Sequence, residues 1–591
     1  MPGIFQLPRQ FWRISWQHGI HKAVLMTFRK FARLCGFPQA GLGLMEKFPP
    51  TTLSNAAAYL PLLKLRPFVS IVMPVYNSAW LKEAVASVLA QSYNHFELIL
   101  VDDQSTLPRT LATLSEAGGN PHVKLIRNAH NLGISGATNA GIEASRGDYI
   151  AFMDHDDLLH PDALAYFART VNDGHDADVF FTDEVVINSK STIVGQMRKC
   201  PVSLDLLLSC NAVLHFVIMK RTVLRQIGPL NSDYDGAQDH DLMLRALEHG
   251  ARFYHLPLLL YAWRTHHAAT SNDIRSFNRR STPEWPKSYL NGKKVIKAYL
   301  DRHSIQATVT DDAFCWYRVK YALPDTHDEV AIIIPFKNQA AYLRRLLESL
   351  KKTTFANTVI YLVDNRSDQA ETKAYLASLR PSPSPGPGPS PGPGPTSRLR
   401  LLTFDEPFNY ARLHNWAVAQ IPNELLLFLN NDVEIQRGDW LEAMLEHIHR
   451  ERVGAVGCRL RYPNGELQHG GMVFRPDVYY CAMNLHFDES YYTKVQRDVS
   501  GVTTACMLIR KSVFQAVGGF DEVRFPIAFN DADLCLKIIS SGYKIMYTPF
   551  AELVHHQSAS RTEQEESYEK WMLFSRHVGS SPMIDRHYRL P

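Results

Sequence analysis

Phe152-Met153-Asp154-His155-Asp156-Asp157 sets three carboxylates and an imidazole directly behind an apolar run, Tyr149-Ile150-Ala151. The apolar lead predicts a buried strand, and Pro161 just beyond suits the first turn of a helix. Like charges crowded at a strand end repel each other. A bound divalent cation relieves that repulsion, because hard cations take carboxylate oxygens. A second version, Phe428-Leu429-Asn430-Asn431-Asp432-Val433-Glu434, follows Leu425-Leu426-Leu427.

Outward from the first cluster, strand and helix patterns alternate. Val69 to Pro74, Phe96 to Val101 and Val123 to Ile126 read as buried strands, and Leu81 to Leu89 as a helix. The Gly-rich segment Asn131–Gly141 comes between the third strand and the acidic cluster. Such alternation implies an α/β fold with a mainly parallel, doubly wound sheet. Ligands of such sheets bind at the carboxyl ends of the strands. Pro74, Tyr76, Asp102 and Asp156 all fall at such ends.

The pattern then restarts. Val330 to Pro335 matches the first strand and Thr358 to Val363 the second. Pro74 to Pro335 is about 261 residues, Asp102 to Asp364 about 262 and Asp156 to Asp432 about 276. The surplus falls where Pro381–Pro395 alternates proline with serine and glycine, a tract suited to an extended surface loop or, less simply, to docking a partner. The expected organisation is a basic amphipathic extension over 1–66, a first domain over 67–300, a connector over 301–328 and a second domain over 329–591, with the Pro/Gly-rich loop at 381–397.

Composition narrows the function. The 591 residues are 45% hydrophobic and carry a formal charge of +4. That near balance argues against a nucleic-acid binder, which would concentrate basic charge. Eight scattered cysteines without a CxxC pair fit reduced thiols in the cytoplasm. No run approaches the ~20 apolar residues of a membrane span, and MPGIFQLPRQFW lacks the apolar core of a secretory signal. Residues 1–66 mix Arg9, Arg13, Lys22 and Arg29 with Phe11, Trp12 and Trp16, with no acidic residue before Glu46. Such a stretch suits either an anionic membrane surface, on the inner face of the cytoplasmic membrane, or a helix packed on the next domain.

The ordered runs PVYN, VDDQS, NLGISGATNAG and FMDHDD resemble the nucleotide-sugar half of an inverting family 2 glycosyltransferase with a GT-A fold. IIIPFKN, VDNRS, FNYARLHNWA, LFLNNDVE, GELQHGG, TTACMLIR, VGGFDE and FNDADLCLK resemble the rhamnosyltransferase-like branch of the same family. The join WYRVKYALPD is similar to that of tandem two-module members that build bacterial O-antigen and other surface polysaccharides. The ordered set spans roughly 68–560 and occurs twice, which makes it far more specific than any one motif.

The resemblance implies roles residue by residue. Asp156 and Asp432 would hold Mn2+ or Mg2+, with His266 and His555 completing the sites, although an isolated histidine is often structural. Asp154 and Asn430 would face the ribose or the metal shell. Asp157 would assist, or belong with Asp162 to a helix cap. Asp102 and Asp364 would hold the base ring, with Pro74, Tyr76, Pro335 and Phe336 beside it. Asn139 and Asn415 would lie along the nucleotide, and Thr182-Asp183-Glu184 would line the acceptor side. Asp239 and Asp531 would take the acceptor proton. Asp239 also reads as an N-cap, with Asp241 and Arg245 pairing one turn apart.

The expected activity is transfer from UDP-, dTDP- or GDP-linked sugars to a glycan or lipid-linked glycan acceptor, with two active sites. The alternatives are one catalytic module beside a binding module, or a non-enzymatic assembly protein.

Overall fold

The computed structural model describes residues 59–266, 285–311, 316–325, 328–379, 398–472 and 491–556. The basic extension falls almost wholly outside these residues, and the 381–397 tract entirely so. The described chain groups into two compact units that divide between Tyr299 and Leu300, with Leu208–Cys210 assigned to the second.

The first unit is built on strands β1 (Val69–Val75), β2 (Phe96–Asp102), β3 (Val123–Arg127), β4 (Tyr149–Phe152), β5 (Leu158–Leu159), β6 (Val179–Asn188), β7 (Ile193–Met197), β8 (Val217–Lys220) and β9 (Phe253–Thr265). Their order is β3-β2-β1-β4-β8-β6-β9-β5, with β7 beside β6. The β3-β2-β1-β4 half is parallel. Beyond it, β8 runs antiparallel to β4 and β6. β1 and β2 read as mainly apolar runs because both faces are covered, and every residue of β2 is buried, Glu97 included, whose Oε1 accepts the Ser70 hydroxyl at 2.6 Å. Each fully buried Val, Leu or Ile there contributes roughly 1.5–3 kcal/mol.

The second unit holds β10 (Ala307–Asp311), β11 (Tyr317–Tyr321), β12 (Val330–Phe336), β13 (Thr358–Asp364), β14 (Leu399–Thr403), β15 (Leu425–Leu429), β16 (Val433–Ile435), β17 (Val453–Arg461), β18 (Leu467–His469), β19 (Arg497–Val499), β20 (Cys506–Arg510) and β21 (Lys544–His555). Its large sheet runs β14-β13-β12-β15-β20-β17-β21-β16, the order of the first sheet strand for strand. The stretch read as a connector contains the antiparallel hairpin β10-β11, and a helix, Lys287–Arg302, crosses the expected boundary at 300.

The repeat extends to single hydrogen bonds. Asn77 Oδ1 accepts the N–H groups of Thr106 (2.7 Å) and Leu107 (2.9 Å). Asn338 Oδ1 accepts those of Asp368 and Gln369, both at 3.0 Å. Both asparagines have positive φ, which their short amide side chains tolerate.

The Gly-rich segment is helical over Gly133–Ala144. One of its glycines serves close contact with the sheet: a Cβ on Gly141 would lie 2.5 Å from Val72 Cγ1 and 3.0 Å from Val101 Cγ2.

Candidate functional site

In the first unit β4 delivers the acidic cluster and the end of β9 delivers His266. His266 Nε2 lies 2.7 Å from Asp156 Oδ2, and its ring packs 4.4 Å from Trp80. Burial pushes the Asp156 carboxyl up, but the His266 hydrogen bond and the charges of His155 and His266 outweigh it and hold the carboxyl below its usual range.

Asp157 is different. Its Oδ2 accepts the Tyr261 hydroxyl at 2.6 Å and its Oδ1 accepts the Arg264 N–H at 2.6 Å. Burial and the Asp156 charge push its carboxyl well above the usual range. Asp157 therefore ties the cluster to β9, and it is not part of a helix cap. Asp162, at the start of helix Ala163–Asn172, accepts Ser92 Oγ at 2.7 Å.

The second unit repeats the arrangement. His555 Nε2 lies 3.1 Å from Asp432 Oδ1 and 3.5 Å from Asn430 Nδ2. His555 Nδ1 is 2.6 Å from Gln468 Oε1, an acceptor, so Nδ1 carries a hydrogen and Nε2 is the ring nitrogen that meets the Asp432 carboxylate. A hydrogen on Nε2, or a cation between the two groups, satisfies that contact. An imidazole nitrogen beside a carboxylate is a donor set that suits a divalent cation. His556 turns the other way, 3.3 Å from Glu434 Oε2.

Asp239 and Asp531 hold the second position of matching helices, Gln238–Glu248 and Asn530–Ser540. Each carboxylate accepts the next residue's N–H at 2.9 Å. Asn211 Nδ2 also donates to Asp239 Oδ2 at 2.8 Å. The N-cap is Ala237, so Asp239 does not cap the helix. Asp241 pairs with Arg245 at 2.8 Å, and Asp533 pairs with Lys537 at 3.2 Å in the same helical register. Helix N-termini favour carboxylates at the second position.

At the strand ends, Asp102 and Asp364 accept the N–H groups of Ser105 (2.9 Å) and Ser367 (3.0 Å). Asp102 also meets Arg127 Nε at 3.0 Å, whereas Thr403 stands opposite Asp364. Pro74 and Pro335 share a register position, opposite Val101 and Val363. Tyr76 is exposed, but Phe336 is buried in the core among Ile334 and Leu362. The register equates Phe336 with Val75, so its ring is turned away from a ligand at the strand end, and Lys337 follows where Tyr76 follows Val75.

Two further expectations are corrected. Asn139 and Asn415 do not face outward along a ligand: each spends both amide atoms on a backbone, Leu230 and Phe520 respectively. Asp183 and Glu184 are fully buried and so do not line a cleft. Asp183 pairs with His255 at 2.7 Å and with Arg198 at 3.0 Å.

Sequence reasoning missed His215. Its Nε2 lies 3.5 Å from Asp154 Oδ2 and its Nδ1 lies 3.4 Å from Glu184 Oε2. Burial pushes the imidazole down, but those two carboxylates raise it well above its usual range. Atoms of Asp154, Asp157 and His215 fall within 4.8 Å of one another. Asp157's two hydrogen bonds leave it a brace in that group. No motif pointed to His215, which stands 61 residues beyond Asp154 in an apolar stretch.

The glycosyl transferase family 2 profile matches residues 70–225 and 331–518, one stretch in each unit. The chain is 35% identical to the protein y4gI of Sinorhizobium fredii over 87% of this chain and 55% of that one. It is 34% identical to the O-antigen biosynthesis protein RfbC of Myxococcus xanthus, over 87% of this chain and 39% of that one. The chain thus spans about half, or less, of the length of these relatives. Among solved structures, S. aureus TarS 1–349 with UDP-GlcNAc aligns over 40% of this chain and 67% of that one, at 20% identity and a TM-score of 0.32.

Proposed function

The chain belongs to glycosyl transferase family 2, and on that premise we propose that each unit is an inverting transferase site using a nucleotide-sugar donor. The observation that carries this reading is the repeated Asp–His pair, Asp156 with His266 and Asp432 with His555, at the same strand ends of two identically ordered sheets. The name of RfbC, an O-antigen biosynthesis protein, supports a growing surface glycan as the substrate; that its acceptor form is lipid-linked is part of the proposal.

The donor's base would lie near Asp102 or Asp364, and its diphosphate near Asp156 or Asp432. When bound there, a divalent cation, Mn2+ or Mg2+, supplies positive charge against the diphosphate. Asp156 with His266, and Asp432 with His555, are the residues that would hold it. Asp239 and Asp531 would accept the proton of the acceptor hydroxyl. The acceptor oxygen then bonds to the anomeric carbon from the face opposite the diphosphate. The carbon–oxygen bond to the diphosphate breaks, its electron pair leaves with the diphosphate, and the anomeric centre inverts. No described helix is long and apolar enough to cross a membrane. In this reading the site works on the cytoplasmic side, where nucleotide sugars are made, with the basic extension meeting the anionic inner membrane surface.

The test is donor turnover by the purified chain carrying Asp156→Ala or Asp432→Ala. Each change is expected to abolish one transfer and spare the other. If one change removes every transfer and the other none, two active sites are ruled out.

A further inference from the structure

A line of alternating charge leads from the interior of the first unit to the acidic cluster. Lys199 is completely buried, and its Nζ donates to the carbonyls of Val213 and His215. The same Nζ lies 3.4 Å from Glu184 Oε2. Glu184 Oε2 faces His215 Nδ1 at 3.4 Å, and His215 Nε2 faces Asp154 Oδ2 at 3.5 Å. The ring is stacked on Tyr261, with centroids 5.1 Å apart and planes 12° apart. The Tyr261 hydroxyl in turn donates to Asp157.

A buried ammonium and carboxylate are costly to desolvate, and removing one partner strands the other. This pair does not face solvent. Its carboxylate faces one nitrogen of the imidazole at 3.4 Å while Asp154 faces the other at 3.5 Å, and the stack on Tyr261 sets the plane of the ring. Asp154, in contrast, is 43% exposed in its side chain, and its Oδ2 is the oxygen that faces the His215 ring.

The second unit lacks this device. Val217 pairs with Phe152 and Met507 with Phe428, which places Ala505 where His215 stands. Asn430 replaces Asp154, and its amide lies near His555 instead. The carboxylate and the histidine thus occur together in one copy and are absent together from the other.

We infer that His215 is a positioning residue of the first unit, held by Glu184 and Lys199 and acting through Asp154, whose carboxylate it aims at the hydroxyl groups of the bound donor. The inference rests on reading the Asp156 site as a donor site. A carboxylate so aimed accepts from sugar or ribose hydroxyls, which an amide at the same place would meet with a different mix of donors and acceptors. The two units would thereby select different donors.

The test uses the full chain carrying Asp432→Ala, so that the first unit alone reports. The probe is whichever of UDP, dTDP and GDP binds most tightly with Mn2+, measured by calorimetry. His215→Phe keeps the stack on Tyr261 but removes both nitrogens, and it is expected to weaken binding about tenfold. His215→Gln, which restores an N–H near the position of Nε2, is expected to regain most of that loss. Asp154→Asn with His215→Phe is expected to bind no worse than Asp154→Asn alone, since the histidine acts through that carboxylate. If His215→Phe binds like its parent while Asp156→Ala abolishes binding, the positioning role is refuted and the donor site stands. If Asp156→Ala also binds like its parent, the donor-site reading falls and this inference with it. Should His215→Phe fail to fold, His215→Gln and Asp154→Asn decide: additive losses in their double variant refute the coupling.

Discussion

Asn139 grips Leu230 through both of its amide atoms: its Nδ2 donates to the Leu230 carbonyl at 2.9 Å, and its Oδ1 accepts the Leu230 N–H at 2.9 Å. Asn415 holds Phe520 in the same way, at 2.9 and 3.0 Å. Each side chain imitates a strand neighbour for a loop that has none. The loop in the second unit needs its glycine, because Gly519 sits at φ +60° with Asn415 Oδ1 2.7 Å from where a Cβ would be.

Asn139→Ala and Asn415→Ala each leave a backbone donor and acceptor without a partner. Each is expected to cost the unit that contains it about 2–3 kcal/mol. Urea unfolding followed by a probe in each unit checks this. A loss below about 0.5 kcal/mol would mean that water replaces the clamp.

Asp102 and Asp364 are expected to differ in nucleotide binding. Arg127 already occupies one Asp102 oxygen at 3.0 Å, while Thr403 stands opposite Asp364. A base ring N–H can therefore reach Asp364 without displacing an ion pair. Asp364→Ala should weaken nucleoside diphosphate binding by tenfold or more in the second unit. Arg127→Thr in the first unit should change which of UDP, dTDP and GDP binds best. An unchanged ranking would show that Arg127 plays no part in reading the base.

Chelation tests the cation directly. Dialysis against EDTA should abolish transfer, and Mn2+ or Mg2+ should restore it. The Asp156–His266 and Asp432–His555 pairs should then carry transfer-competent metal in proportion of one ion per intact pair. Full activity in EDTA would leave both pairs as simple hydrogen bonds.

The repeated frame was legible because its central strands are buried on both faces and read as mainly apolar runs, so Leu425–Leu429 appears where the pattern put it, while the helix Leu81–Leu89 was legible from its own helical spacing. Asp156 and His266 were legible as a pair only through the resemblance, since 110 residues separate them. The misses have one physical cause. Sequence gives residue type and spacing but not facing, and facing decided Phe336, Asn139 and Asp183. Phe336 follows a proline at a strand end, as a ligand-facing ring would, yet strand alternation turns it into the core. His215 was invisible because its partners, Asp154 and Glu184, come from other strands of the sheet.

Burial pushes His414 in the second unit down to about 4, and it pushes His160 in the first unit down to about 4 as well. His414 Nδ1 donates to the Tyr410 carbonyl at 2.9 Å, and its ring sits 5.1 Å from Phe428 and 5.8 Å from Phe520, where a charge would be poorly solvated. His160 Nδ1 accepts the Asp162 N–H at 3.1 Å, so that nitrogen has no room for a proton. An unfolded histidine titrates near 6.5, so between about 6.5 and 4 the unfolded chain binds protons that the folded chain refuses. The stability each neutral ring provides is complete above pH ~6.5 and is lost as pH falls toward ~4, by about 3 kcal/mol per site. His414→Phe removes one of these protons and keeps the aromatic contacts. Between pH 7 and 5 its second unit should lose about 2 kcal/mol less stability than the parent's. Parallel stability–pH curves for variant and parent would mean that His414 takes up its proton in the folded state.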